Sequence, residues 1–189
     1  MQKTIIALVG MPGSGKGTCT DYLEATNGWP VVHFGNMVYE EVQRRGLSNV
    51  EDEIFVREDM RAQEGPAVLA KHVARKVEQL FSENHNVVVL DGLYSWTEYK
   101  YLSEKFGDSL VVIAVAAPKK VRWQRVLNRK DSHRQYTMEQ LVTRELAEIE
   151  NLEKGGPIAY ADYTLTNNED QSTLLTHLNN VLKELNVIK

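Results

Sequence analysis

The chain has 189 residues, with 22 Lys and Arg against 26 Asp and Glu, for a net charge of −4. At about 150 residues per domain the length predicts one domain, long enough to bury a core without disulfide or metal staples. The charge argues against a broad nucleic-acid surface, which needs a basic face. The single cysteine, Cys19, excludes an intramolecular disulfide framework and a multi-cysteine zinc site, and it fits a reducing, cytoplasmic compartment.

The first apolar run, Thr4–Val9, reads as a buried strand. It opens onto the glycine-rich stretch at 10–18 rather than a cleavage site, so it is not expected to be a secretory signal. Further apolar runs follow at 31–34, 86–90, 110–116 and 163–166. Helical patterns lie between them at 15–26, 37–45, 50–62, 67–81, 97–105, 119–128 and 138–152, and a last one at 171–185 closes the chain. Pro66, after Gly65, sits where a helix would start. No run approaches the ~20 residues of a membrane-spanning helix. Three of the runs are near-continuous in Val, Ile and Leu, as in strands buried on both faces of a parallel sheet. Strand and helix alternation predicts an α/β doubly wound domain with right-handed crossovers.

The strongest motif is Gly10-Met11-Pro12-Gly13-Ser14-Gly15-Lys16-Gly17-Thr18, placed between a strand and a helix. Glycines let the backbone turn its N–H groups inward around a phosphate, and the helix beginning near Gly15 adds the positive end of its dipole. Lys16 reaches the β- and γ-phosphates. The hydroxyl needed for Mg²⁺ comes one residue later than in the common pattern, at Thr18 instead of Gly17. Cys19 reads as a small packing residue of the first helix.

This loop resembles that of adenylate kinases and their nucleoside monophosphate kinase relatives, and most nearly that of a small, largely archaeal group of adenylate-kinase-related proteins. The resemblance runs over nearly the whole length. It implies a P-loop kinase fold, a five-stranded parallel sheet in the order 2-3-1-4-5, with an acceptor-side helical segment at about 35–82, a short lid at about 125–145, and ATP with Mg²⁺ as cofactors.

Asp91 and Gly92 end an apolar strand. A carboxylate there can hold Mg²⁺ or orient an acceptor hydroxyl, and Asp-Gly is also a common turn pair. The pair resembles the opening of the family's Asp-Gly-Phe-Pro-Arg segment. On the acceptor side, Phe34-Gly35-Asn36-Met37-Val38-Tyr39 resembles the family's Thr-Gly-Asp-Met-Leu-Arg segment, and Asn36 alone reads as a helix N-cap. The family's two acceptor-phosphate arginines are replaced by Tyr39 and by Tyr94 or Ser95. A tyrosine donates one hydrogen bond and carries no positive charge. Arg57 and Arg61 share a helix face; Arg57 reads mainly as a partner of nearby acids, and Arg61 as either an anion ligand or a surface pair.

Arg125 and Arg129 also lie four apart and resemble the paired arginines at the lid entrance. With Arg144 they would neutralise charge on the transferred phosphoryl group. Asn167 reads as a turn residue that could touch the base. The five histidines show no metal-ligand spacing, although His33, at the end of the second strand, could reach the crevice. Trp29, Trp96 and Trp123 read as packing residues.

Together these features predict an ATP-dependent phosphotransferase acting on a nucleoside or deoxynucleoside monophosphate, with no nucleic-acid or membrane partner. A dephospho-coenzyme A kinase is the alternative enzyme. Against it, Asn36 cannot serve as the base that family places there. A nucleotide-dependent switch or assembly factor is the alternative of another class.

Overall fold

The computed structural model describes residues 3–47, 50–129 and 136–188. The strands are β1 (Thr4–Val9), β2 (Val31–His33), β3 (Val87–Asp91), β4 (Leu110–Ala116) and β5 (Tyr163–Thr166). They form one parallel sheet in the order β2-β3-β1-β4-β5, as anticipated. The helices are α1 (Lys16–Asn27), α2 (Phe34–Arg44), α3 (Val50–Glu64), α4 (Val68–Ser82), α5 (Trp96–Phe106), α6 (Lys119–Leu127), α7 (Met138–Glu150), α8 (Gly155–Ala159) and α9 (Gln171–Glu184).

The central strand shows why this order is stable. Side chains alternate across a strand, so Ile5, Ala7 and Val9 enter one core with Phe34, Val38, Val73, Val77 and Leu102. Ile6 and Leu8 enter the other core with Cys19, Leu23, Leu174, Leu178 and Leu182. Burying each large aliphatic side chain contributes roughly 1.5–3 kcal/mol. Both faces are apolar because helices cover both, which is why these runs read as continuous rather than alternating.

Helices α2 and α8 depart from expectation. Phe34 is fully buried, and the chain passes from β2 directly into α2 with His33 at the N-cap. Anchoring Phe34 in the core starts the helix three residues before Met37, so Asn36 lies inside the first turn and is not the cap. Helix α8 escaped the sequence reading because its Gly155-Gly156-Pro157 opening resembles a loop. Among the described residues no helix is long and apolar enough to cross a membrane.

The strand ends assemble the site. His33 and Asp91 are register partners, and Asp91 is also opposite Leu8. The carboxyl ends of β2, β3 and β1 therefore lie side by side under the glycine-rich loop, where ligands of open parallel sheets bind.

Candidate functional site

The loop at 10–15 is held by residues distant in sequence. Gly13 has φ +79°, and a Cβ there would lie 2.4 Å from the Arg122 carbonyl oxygen. Gly15, the N-cap of α1, has φ +104°, and its Cβ would lie 2.1 Å from Asn167 Nδ2. Both positions exclude a side chain on two counts. Asn167 Nδ2 donates to the Ser14 carbonyl at 2.7 Å, and Arg122 Nη1 donates to the Pro12 carbonyl at 3.1 Å. The Ser14 hydroxyl is buried without a partner among the described residues, and no side chain caps α1. Unpaired donors at a helix N-terminus beneath a glycine loop fit an anionic ligand. At Gly17 a Cβ would meet nothing within 4 Å, so packing does not demand glycine there. Burial pushes the Cys19 thiol up to about 12, in keeping with a packing role.

Lys16 Nζ donates to Asp91 Oδ1, and Asp91 Oδ2 lies 3.1 Å from His33 Nδ1. Burial works against the Lys16 ammonium, but the Asp91 carboxylate outweighs it and raises the pKa. The sequence placed Lys16 and Asp91 in one crevice; the structure joins them directly and adds His33. Among the described residues no group of three His, Cys, Asp or Glu could hold a metal ion.

A cavity of about 170 Å³ is lined by Thr18, Arg125, Asn167, Glu169, Gln171 and Leu174. Arg125 Nη2 donates to the Asn167 carbonyl at 3.2 Å and lies 3.4 Å from its Oδ1. Its Nη1 is buried without a partner among the described residues. Arg129 is instead exposed, just beyond the end of α6. Asn167 is corrected from a turn residue to a buried clamp on the loop. Residues 130–135 of the expected lid, with His133 and Arg134, lie outside the described residues.

Arg122 escaped the sequence reading. It is buried, and besides the Pro12 carbonyl it donates to the Ala117 carbonyl at 3.2 Å and to Glu145 Oε1. Trp123 Nε1 donates to Glu145 Oε2, tying α6 to α7.

The acceptor side differs most from expectation. Tyr39 is 55% exposed on α2, and Gly35 stands in open space in the first turn. Tyr94 is half-buried, edge-on to Phe34 with ring centroids 6.1 Å apart. Ser95 is the N-cap of α5, in a capping box with Glu98. Gly92 is buried between Asp91 and Leu93. Glu98 is fully buried and accepts from the Tyr94 and Ser95 N–H groups; burial raises its pKa. Its free oxygen faces Arg61 Nη2 at 3.6 Å, and Arg61 also meets Glu58 at 3.2 Å. Arg61 is thus neither a simple surface pair nor an open anion ligand. Arg144 bonds Glu148 at 3.0 Å and the Tyr136 hydroxyl. Lys154, buried at the start of α8, bonds Glu148 at 2.6 Å and lies 5.0 Å from the Tyr94 ring centroid. Glu98, Glu148 and Lys154 gave no sequence signal beyond Ser95 and Glu98 standing at capping-box spacing.

A family profile described as an AAA domain matches residues 9–142. A UPF0200/UPF0201 protein of Archaeoglobus fulgidus is 33% identical over 98% of this chain, which spans 57% of that protein's length. A UPF0200 protein of Pyrococcus abyssi is 32% identical over 87% of this chain and 88% of its own. The chain belongs to the UPF0200 family. Its fold is that of P-loop kinases. A shikimate kinase from Bacteroides thetaiotaomicron superposes with TM-score 0.59 at 14% identity, covering 97% of this chain and 98% of its own. A gluconokinase from Sinorhizobium meliloti does so with TM-score 0.59 at 14% identity, covering 97% and 96%. The AAA-domain match takes in the glycine-rich loop, Asp91, Arg122 and Arg125, whereas Arg144, Glu148, Lys154 and Asn167 lie beyond it.

Proposed function

We propose that this UPF0200 chain is an ATP-dependent phosphotransferase of the adenylate-kinase-like type, acting on a nucleoside or deoxynucleoside monophosphate. The observation that carries the reading is the junction of Lys16 with Asp91 under a loop whose glycines exclude side chains. The backbone at 10–15 and Lys16 would cradle the polyphosphate. The buried Ser14 hydroxyl and the uncapped start of α1 fit such a ligand. Thr18 and Asp91 would hold the Mg²⁺ that enters with ATP, which neutralises phosphate charge when bound. The cavity beside Arg125 and Asn167 would receive the base.

Once Lys16 turns to phosphate, Asp91 is released to meet the Mg²⁺ or to orient an acceptor hydroxyl, with His33 holding its second oxygen. Arg125, Arg129 and Arg144 would offset the transferred charge, and closure of the segment at about 125–145 would exclude water. The acceptor would enter past Gly35, Tyr39, Arg61, Gly92 and Tyr94. Catalysis rests on positioning and electrostatics, without a covalent enzyme intermediate.

A coupled assay over nucleoside and deoxynucleoside monophosphates, with dephospho-coenzyme A in parallel, tests the reading. Turnover of at least one monophosphate, abolished in Lys16→Met, is expected. Turnover of dephospho-coenzyme A alone would transfer the assignment to that alternative. ATP hydrolysis unchanged by every acceptor but altered by a protein partner would favour the switch.

A further inference from the structure

The two acceptor arginines absent at Tyr39 and Tyr94 leave open which cation meets the acceptor's anionic group. The residues around Tyr94 carry an answer. Helix α7 turns its charged side inward: Glu148 is buried, as is Glu145, while Leu146 and Ile149 are exposed. After α7 the chain turns at Glu153, whose φ of 52° is rare for a side-chain-bearing residue, and this directs Lys154 back under Tyr94. Glu148 then bridges two cations, with Lys154 on Oε2 and Arg144 on Oε1. One carboxylate between two cations leaves a net charge of +1. Lys154 is sealed, with 4% of its side chain exposed, whereas 37% of the Arg144 side chain is exposed. The surplus charge is therefore presented by Arg144.

We propose that Lys154 is a positioning residue for an acceptor-anion subsite: by occupying Glu148 it leaves the Arg144 guanidinium with an unbalanced charge for a phosphate or carboxylate group beside Tyr94. Without Lys154, Glu148 and Arg144 would close into a neutral pair. The two cations hold the Glu148 carboxyl below its ordinary range against the pull of burial, while burial draws the Lys154 ammonium below its own ordinary range and the Glu148 carboxylate opposes that pull. This inference rests on the reading of the crevice as an acceptor site.

The test separates the two. Inorganic phosphate is titrated calorimetrically into protein saturated with Mg²⁺ and a non-hydrolysable ATP analogue, which occupies the loop. The same titration is run with acetate to distinguish phosphate from carboxylate. Lys154→Met is expected to weaken anion binding at least tenfold, with analogue affinity within about twofold of the native protein. Lys154→Arg retains binding. The double variant Lys154→Met/Glu148→Gln restores the +1 balance and recovers binding, which a merely structural lysine would not allow. Unchanged binding in Lys154→Met, no recovery in the double variant, or no anion binding by the native protein overturns the proposal. Failure of the analogue to bind overturns the phosphotransferase reading instead; the anion series is then read on the unliganded protein, where the same order is required.

Discussion

Replacing Arg122 by methionine tests the idea that the phosphate loop is held in shape from α6. The Arg122 and Glu145 side chains are 10% and 7% exposed. Removing one member of a buried pair costs roughly 3–5 kcal/mol, because the other charge is left without a counterion. Two carbonyls, of Pro12 and Ala117, also lose their donor. Against a total stability of roughly 5–15 kcal/mol, the variant should lose a fifth or more of it and unfold at visibly lower urea. In Arg122→Met/Glu145→Gln the stranded charge is gone while Trp123 keeps an acceptor. Coupling of about 2 kcal/mol should return in that variant. Urea unfolding followed by circular dichroism at pH 7 measures both. Nucleotide affinity should fall in both, since neither restores the bond to Pro12. A cost under about 1 kcal/mol for the single variant, or a double variant no better than the single, would refute the reasoning.

Three further outcomes are expected. Gly15→Ala meets a left-handed backbone and Asn167 at 2.1 Å; it should cost about 1–3 kcal/mol from strain alone and weaken ATP binding more than tenfold, as read by unfolding and titration. With its pKa moved from 9.0 to about 12, Cys19 should react with iodoacetamide at pH 8 about a thousandfold more slowly in the native protein than in urea. Hydrogen bonds from Arg44 and Arg45 hold Glu41 at about 2 instead of 4.5. A depressed acid stabilises above its unfolded pKa, so this contribution is full above pH 4.5 and is lost as pH falls through about 2. Glu41→Gln should flatten that part of the acid-stability profile, and high salt should shrink the difference because Arg44 is exposed.

The fold was legible because each layer repeats a local signal. Five apolar runs become five strands, three of them coinciding with the expected ranges and two within one residue of their expected ends, since a strand buried on both faces leaves a continuous apolar signature. The loop was legible because only glycine tolerates the backbone at Gly13 and Gly15, and because Lys16 follows at a fixed offset. What sequence could not show is what meets these residues in space. Asn167 looks like half of an Asn-Asn turn until it is seen against Ser14, 153 residues away. Lys154 and Glu148 look like ordinary surface charges of an amphipathic helix and its exit. On α7 Glu145 and Glu148 are buried while Leu146 and Ile149 are exposed, against the usual amphipathic pattern. Asn36 failed as a cap because the core demands Phe34 earlier than local propensity would begin the helix.

The sheet order has a consequence for synthesis. Of the five strands, β1 leaves the ribosome before the other four, yet its neighbours are residues 87–91 and 110–114. At about 5–20 residues per second, the roughly eighty residues separating β1 from its first partner take on the order of 4–16 s to appear. Throughout that interval an unpaired Thr-Ile-Ile-Ala-Leu-Val segment must be shielded from other nascent chains. Contacts this remote in sequence also slow folding. The loop at 10–18 acquires its clamps only with Arg122 and then Asn167, so a growing polypeptide cannot use nucleotide as a folding template until β5 has been made.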